Sequence, residues 1–193
     1  LYLSMKALII VDVQVDFLPE GALAVPAGDT IIPAINALQK DYDLVVATQD
    51  WHPADHGSFA SQHPGAQVYD TIELHGLAQT LWPDHCVQGT EGAELANTLN
   101  TAAIEAIFRK GTERDIDSYS GFFDNGQRKA TGLQGYLKER AVSEVHVCGL
   151  AADYWVYFTA MDSIEAGYKT AIISRATKPI DQKTIKDKKE ILL

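Results

Sequence analysis

Short apolar runs rich in β-branched residues alternate along this chain with stretches of helical periodicity. The runs are typical of buried strands and read KALIIV at 6–11, DLVVATQ at 43–49, AIFRK at 106–110, SEVHVCG at 143–149 and KTAIIS at 169–174. Apolar positions at helical spacing predict helices over 30–40, 131–140 and 153–167. Strand and helix in alternation indicate an α/β fold, with a parallel sheet covered by helices on both faces.

Polar groups stand at the ends of four of the predicted strands, where they either directly follow the strand or, in the case of Lys110, end it. They are Asp12, the pair Asp50 and His52, Lys110, and the GLAADYW turn at 149–155. Ligands of open parallel sheets bind at the carboxyl ends of the strands, so we expect these groups to line one crevice. The long connection at 51–90, rich in His, Pro, Gly and Trp, is predicted to be functional as well.

Asp50 and His52 lie two residues apart just beyond a strand, so extended geometry points both side chains to the same face. A carboxylate beside an imidazole suits a first-row divalent metal ion. His85, in the LWPDHC segment, is a candidate third ligand, and His56 a candidate fourth. The alternative interpretation is a turn in which Asp50 binds backbone amides and His52 packs under the neighbouring tryptophan.

Asp12 and Lys110 each end an apolar run. Burial would raise the pKa of Asp12 toward a value useful for a general base. At neighbouring strand ends, the two residues could form an acid–base pair in which the lysine also stabilises nearby negative charge. They could equally form a purely structural ion pair.

The turn at 149–155 joins a strand to a helix, whose first backbone N–H groups would be available for an oxyanion hole. A nucleophile is expected at such a helix start. The turn contains no Ser, Thr or Cys, and its only ionisable side chains are Asp153 and Tyr154.

Composition indicates one domain over residues 1–193, since 46% of the residues are hydrophobic and 22% are charged. The net charge of −10 argues against nucleic acid as a partner, and the lysine-rich segment 178–193 is predicted to be a solvated helix face.

Cys86 and Cys148 lie far apart without metal-binding spacing, which favours a reducing, cytoplasmic setting. We expect no signal peptide or transmembrane segment, and Met5 is a candidate initiator behind four added residues.

Five ordered segments resemble the nicotinamidase/pyrazinamidase group of the isochorismatase-like cysteine hydrolases. They span residues 5–175 and read ALIIVDVQVDFLPEGALAVPAGD, ATQDWHPADHGSFASQHPG, LWPDHCVQGTEGAEL, RKG with DSYSGFFDNG, and VCGLAADYWVYFTAMDSIEAGY. The resemblance implies a three-layer α/β sandwich with a parallel sheet of about six strands. It also implies hydrolysis of nicotinamide to nicotinate and ammonia in NAD salvage, with pyrazinamide as a further candidate substrate.

The resemblance also implies roles for individual residues. Asp12 would be the general base and Lys110 its partner, while Asp50, His52 and His85 would hold one divalent metal ion that orients the pyridine nitrogen. Zinc is the first choice for that ion, with iron or manganese as alternatives. The aromatic pocket of the family corresponds to Phe17, Trp82 and Tyr119. A cis peptide before Ala151 would turn the amides of residues 151 and 155 toward the oxyanion. The implied partner is the small-molecule substrate, and no association with a membrane is expected. The chain is expected to be a monomer or a homo-oligomer.

Trp155 stands where the family has its catalytic cysteine. An indole nitrogen has no available basic lone pair, so tryptophan cannot accept the acyl group. Three explanations are open: an engineered or naturally disabled enzyme, a pseudoenzyme that binds a pyridine carboxamide, or a cysteine misassigned as tryptophan. A related hydrolase with another amide substrate is a further alternative.

The chain departs from the family pattern at other positions as well. Val15 replaces a frequent Asn, and Ala152 replaces a frequent Thr, so both positions lose hydrogen-bonding capacity. The resemblance fades beyond Ser174, which leaves two explanations open: the sixth strand is missing, or the sequence is imperfect both at this tail and at residue 155.

Overall fold

A computed structural model describes residues 4–191 of the chain, and side chains as far as residue 188. The strands within this range are β1 (Met5–Val11), β2 (Leu44–Asp50), β3 (Thr71–Leu74), β4 (Leu77–Thr80), β5 (Ala106–Lys110), β6 (Val142–Leu150) and β7 (Lys169–Lys178). The α-helices are α1 (Ile32–Leu38), α2 (Leu133–Glu139), α3 (Trp155–Glu165) and α4 (Gln182–Ile191). Short 3-10 turns cover Val15–Phe17, Gly28–Ile31, Gln39–Asp41, Ala60–Gln62 and Glu91–Ala93.

Five strands form one parallel sheet in the order β5-β2-β1-β6-β7. Strands β3 and β4 form a separate antiparallel hairpin. Helix α2 packs on β6, α3 packs on β6 and β7, and α1 packs on β7. The predicted α/β fold with a parallel sheet is therefore confirmed, and each of the five apolar runs is a strand. The expected count of about six strands is one too high for residues 4–191, because the chain after β7 forms helix α4.

The central position of β1 follows from its sequence. Its residues from Ala7 to Val11 are fully buried, and a strand covered on both faces needs a continuous apolar run rather than an alternating one. Helix α1 buries Ile32, Ile35 and Leu38, which recur at helical spacing, and it tolerates a proline in its first turn. The carboxyl ends of the parallel strands then meet at one edge of the sheet.

The three predicted internal helices exist but are shorter than predicted. The 30–40 prediction becomes α1 between two 3-10 turns. Helix α2 starts only after Gly132, whose φ of 96° is non-helical, and α3 starts after Tyr154, which has φ −128° and ψ −94°. Gly167, at φ 91°, lies just beyond the end of α3. Local backbone conformations that periodicity does not encode therefore set the helix ends.

The lysine-rich tail forms α4, as its helical interpretation predicted. The helix is not solvated all round: Ile185 is buried, and the Lys188 amine lies 4.4 Å from the ring centroid of Tyr154 and 5.0 Å from that of Tyr157. One side of α4 thus packs against the beginning of α3. None of the helices within residues 4–191 combines the length and the apolar character needed to cross a membrane.

Replacement of Gly149 by alanine should destabilise the fold, because β1 and β6 approach too closely for a side chain. A Cβ there would lie 2.1 Å from the Val11 carbonyl oxygen, and the φ of 108° is left-handed. We expect a loss of roughly 2–6 kcal/mol in the free energy of unfolding, summing strain and overpacking. Gly135→Ala is the control, because this helical glycine has open space around it and should gain about 0.5–1 kcal/mol. Chemical denaturation measures both, and a Gly149→Ala variant as stable as the parent would contradict this account.

Candidate active site

The ends of β1, β2 and β5 bring three buried charges into direct contact. The Lys110 Nζ atom lies 2.8 Å from Asp12 Oδ2 and 2.5 Å from Asp50 Oδ1, and it donates a third bond of 2.9 Å to the Ser118 carbonyl. The side chains of both aspartates and of the lysine are fully buried. The structure therefore brings together the predicted acid–base pair and one predicted metal ligand.

The environment of Asp12 is that of a carboxylate poised to exchange a proton. Burial raises its pKa to about 6, against the opposing attraction of Lys110. Its Oδ1 atom accepts a 2.6 Å hydrogen bond from the Thr48 hydroxyl. The backbone of Asp12 has a φ of 47°, in the left-handed region that is uncommon for residues other than glycine but is more accessible to aspartate than to most. Asp12 is thus held in one orientation beside the lysine.

Asp50 and Lys110 stay charged in this setting. Burial alone would raise the pKa of Asp50, but the attraction of Lys110 and His52 outweighs it and holds that pKa well below its usual value. Burial likewise lowers the pKa of Lys110, but the attraction of Asp12 and Asp50 more than offsets this, and the pKa lies above its usual value. Lys110 therefore contacts one carboxylate that stays ionised, that of Asp50, and one that can exchange a proton, that of Asp12.

Asp50, His52 and His85 form a buried group whose ligand atoms all lie within 4.8 Å of one another. Asp50 Oδ2 is 3.3 Å from His52 Nε2 and 3.6 Å from His85 Nε2. Among the described residues, neither Asp50 Oδ2 nor His52 Nε2 has a hydrogen-bond partner, although buried polar atoms are normally satisfied. These converging atoms fit the ligand set of a divalent metal ion.

The opposite nitrogens of the two imidazoles are anchored to the backbone. His52 Nδ1 lies 2.8 Å from the Gly111 carbonyl oxygen, and His85 Nδ1 lies 2.7 Å from that of Pro83. Metal-bound histidines usually donate their other ring N–H to such a group, which fixes the tautomer and aims the free nitrogen at the metal. The carbonyls thus orient both Nε2 atoms toward Asp50.

Gly111 was missed as a site residue by the sequence analysis. A Cβ on this glycine would lie 2.4 Å from His52 Cε1 and 2.7 Å from His52 Nδ1, and its φ is 64°. Only glycine lets the carbonyl approach the imidazole in this way. The only sequence feature that could have indicated its role is its position directly after Lys110, because its contact with His52 joins distant parts of the chain.

His56, the candidate fourth ligand, lies beside this group, with its ring centroid 4.3 Å from that of His52. Both of its nitrogens are already engaged: Nδ1 lies 2.7 Å from the Ser58 hydroxyl and Nε2 lies 3.2 Å from the Ile116 carbonyl oxygen. Burial and the proximity of His52 lower the pKa of His56 to about 4. A second potential group is formed by His52, His56 and Asp117, and His56 would have to give up the hydrogen bond of one ring nitrogen to join it.

Trp155 opens helix α3 and lies among the predicted aromatic pocket residues. Its ring centroid is 4.7 Å from that of Phe17 and 5.8 Å from that of Trp82, and the side chain is only 1% exposed. The Lys110 Nζ atom lies 5.8 Å from the centroid of the indole. Tyr119 is one layer further out, with its centroid 6.3 Å from that of Trp82. The indole therefore fills the space between the aromatic side chains and the buried charges.

The turn before Trp155 has the geometry that the resemblance implied, because the peptide bond between Leu150 and Ala151 is cis. The Ala151 carbonyl accepts hydrogen bonds from the Tyr154 and Val156 amides. The Asp153 carboxylate accepts a 2.9 Å bond from each of the amides of Ile180 and Asp181, so it anchors the segment before α4. The one carboxylate of the turn is thus engaged in structure.

Comparison with known proteins places this architecture in a family. The sequence model of the isochorismatase domain matches residues 6–188. A nicotinamidase of Escherichia coli is 48% identical over 180 residues, which cover 91% of this chain and 84% of that protein. A nicotinamidase of Acinetobacter baylyi is 51% identical over 175 residues, covering 91% of this chain and 82% of that protein.

Solved structures agree with the sequence relatives. A nicotinamidase/pyrazinamidase of Acinetobacter baumanii has 46% identity and a TM-score of 0.95, covering 100% of this chain and 93% of that one. The yeast nicotinamidase bound to the inhibitor nicotinaldehyde has 36% identity and a TM-score of 0.91, covering 97% and 95%. A pyrazinamidase of Pyrococcus horikoshii in complex with zinc has 36% identity and a TM-score of 0.79, covering 97% and 94%. The chain belongs to the isochorismatase family, and within that family it is a hydrolase of the nicotinamidase type.

Proposed function

We propose that this chain has the scaffold of a metal-assisted nicotinamidase, the enzyme that hydrolyses nicotinamide to nicotinate and ammonia in NAD salvage, with its nucleophile position occupied by Trp155. The observation that supports this most directly is that Lys110 contacts both Asp12 and Asp50 and lies with its Nζ atom 5.8 Å from the ring centroid of Trp155, while the His85 ring centroid lies 6.5 Å from it. The chain as it stands then forms no thioester, because indole offers no attacking lone pair.

In this proposal Asp12 is the base that takes the proton of a nucleophile at position 155. Its pKa near 6 lets it hold or release a proton around neutral pH. Lys110 lies 2.8 Å from Asp12 and close to the face of the residue 155 side chain, so it stabilises negative charge between the two. The backbone amides of residues 151 and 155, at the start of α3, are the proposed oxyanion donors.

Asp50, His52 and His85 would hold one divalent metal ion, and the bound ion would supply the positive charge that orients the pyridine nitrogen of the substrate. Two imidazoles and one carboxylate leave open positions and suit zinc first, with iron or manganese as alternatives. The zinc in the Pyrococcus horikoshii relative supports this choice. His56 is not included, because its two ring nitrogens are already hydrogen-bonded.

Phe17, Trp82 and Tyr119 are the proposed ring-binding residues, since flat aromatic faces suit a planar heterocycle. The nicotinaldehyde bound by the yeast relative is a small pyridine compound of this kind. In this chain the Trp155 indole packs on Phe17 and Trp82 and would compete with a pyridine ring for the same space. This overlap favours a disabled enzyme over a pseudoenzyme that still binds a pyridine carboxamide.

Trp155→Cys should create amidase activity, because it supplies the thiol and clears the pocket at once. We expect the metal-loaded variant to release ammonia from nicotinamide, and from pyrazinamide, roughly 10⁴–10⁶-fold faster than the parent, the order of magnitude that loss of a single catalytic-triad residue costs a hydrolase. Trp155→Ala is the matched control, since it opens the same space without a thiol and should stay inert. Intact mass confirms the residue at 155 in every sample. A folded, metal-loaded cysteine variant without turnover would refute the proposal.

Calorimetric titration with nicotinamide separates the disabled enzyme from the pseudoenzyme. Because the indole occupies the ring position, the unmodified chain should give no saturable heat at millimolar nicotinamide. Trp155→Ala should bind it measurably. Equal binding by both proteins would instead support the noncatalytic binder.

Gly111→Ala should weaken the metal centre by pushing the His52 ring away from its anchoring carbonyl. We expect a loss of about 10–100-fold in zinc affinity, the usual effect of disturbing the groups behind a ligand. Gly132→Ala shares the left-handed φ but has no atom within 4 Å of the new Cβ, so it should lose stability and keep the affinity. Competition with a chromophoric chelator measures the affinities, and unchanged affinity in Gly111→Ala would contradict the proposed ligand set.

A further inference from the structure

Gln14 is a fully buried primary amide close to the proposed metal centre, between Val13 and Val15. A side chain of this kind is costly to bury unless each of its polar atoms finds a partner. Neither composition nor periodicity gave it a role, and nothing in the proposed reaction uses it. Its partners therefore indicate what it does.

The Gln14 amide bonds to both main-chain groups of Asp50. Its Oε1 atom accepts a 2.8 Å bond from the Asp50 N–H, and its Nε2 atom donates a 2.8 Å bond to the Asp50 carbonyl. The second Nε2 proton goes to the Ala93 carbonyl, also at 2.8 Å. Both N–H groups and the carbonyl of the side chain are thus satisfied by backbone atoms.

These bonds replace a missing piece of the sheet. The pairing of β1 with β2 runs from Ala7 opposite Leu44 to Ile10 opposite Ala47, so β1 has ended before it reaches Asp50. On its other side, Asp50 is still paired with Lys110 of β5. The Gln14 side chain supplies the strand-like donor and acceptor that the backbone of β1 no longer offers.

The hydrogen bonds from Gln14 on one side of Asp50 and the pairing with β5 on the other fix the direction of the Asp50 carboxylate. Lys110 holds Oδ1 at 2.5 Å, while Oδ2 points toward the Nε2 atoms of His52 and His85. If the backbone of Asp50 were free on the β1 side, the carboxylate could rotate about the lysine contact and leave the ligand position. Ligands held by a rigid second layer bind metal more tightly than mobile ones, because less freedom is lost on binding.

We propose that Gln14 is a positioning residue for the metal centre, acting through the main chain of Asp50. This inference rests on the metal site of the proposed function. The hydrogen bonds of the Gln14 side chain go to main-chain atoms of Asp50 and Ala93, so its effect should be seen in metal affinity, which a merely structural role would leave unchanged.

The test is the zinc affinity of the full-length, metal-stripped chain, measured by competition with a chromophoric chelator, with thermal melting recorded in parallel. Gln14→Met preserves the size of the side chain and removes all three bonds. We expect its zinc affinity to fall about 10–100-fold, the usual effect of deleting a group behind a ligand. Gln39→Met is the matched control: Gln39 is also buried, and its amide donates to the Asn100 carbonyl away from the site. It should lower the melting temperature and leave the zinc affinity unchanged.

Each outcome is decisive. Zinc affinity within about twofold of the parent in Gln14→Met, where the usual second-layer effect is at least tenfold, would overturn the inference and leave the metal site standing. Absence of zinc binding by the parent chain would remove the metal site itself, and this inference with it. If Gln14→Met does not fold, the same zinc titration is made on Gln14→Asn, whose amide is one methylene shorter and cannot reach the same partners. Failure of both variants to fold, beside a folded Gln39→Met, would make Gln14 a residue of the fold alone and also overturn the inference.

Discussion

The buried Lys110 ammonium between two carboxylates is the interaction on which the site depends. Each of these ions would be costly to bury alone, and the arrangement is tolerable only because the lysine bonds to both carboxylates and to the Ser118 carbonyl. The contact fastens the ends of β1, β2 and β5 to one another. Two carboxylates around one ammonium also leave one uncompensated negative charge, which favours a cation beside Asp50.

The lysine divides the two carboxylates into different chemical roles. Asp50, contacted by Lys110 and His52, stays ionised and can act as a ligand, whereas the pKa of Asp12 rises to about 6 and lets it exchange a proton. Environment alone creates this difference, since both residues are aspartates at the carboxyl ends of neighbouring buried strands: Asp12 follows β1 and Asp50 ends β2. A pair of carboxylates whose pKa values are pushed apart is a frequent mark of an acid–base site.

Much of the fold and part of the site could be predicted from the sequence, for definite physical reasons. Strands buried on both faces, such as β1 and β2, leave continuous apolar runs, and polar residues at the carboxyl ends of parallel strands, such as Asp12 and Lys110, meet at one edge of the sheet. The contribution of Gln14 could not be predicted, because a glutamine between valines looks the same whether it faces solvent or replaces a strand. Gly111 was missed because its contact with His52 links distant segments. The count of about six strands came from the resemblance; the sheet has five within residues 4–191, and the fading of the resemblance beyond Ser174 was the signal that the last strand could be missing.

The retention of the charged cluster beside Trp155 has a physical explanation that needs no catalysis. Removing one member of a buried ion pair leaves the others uncompensated, at about 3–5 kcal/mol, which is a large share of the stability of a domain. Replacing a small nucleophile by an indole that packs on Phe17 and Trp82 has no such electrostatic cost. Under the proposed function, residue 155 is therefore the member of this site that the fold can change most easily, and Asp12, Lys110 and Asp50 would persist whether or not the chain is catalytic. The buried charge cluster is a property of the scaffold, whereas in the proposed function residue 155 decides whether the scaffold reacts.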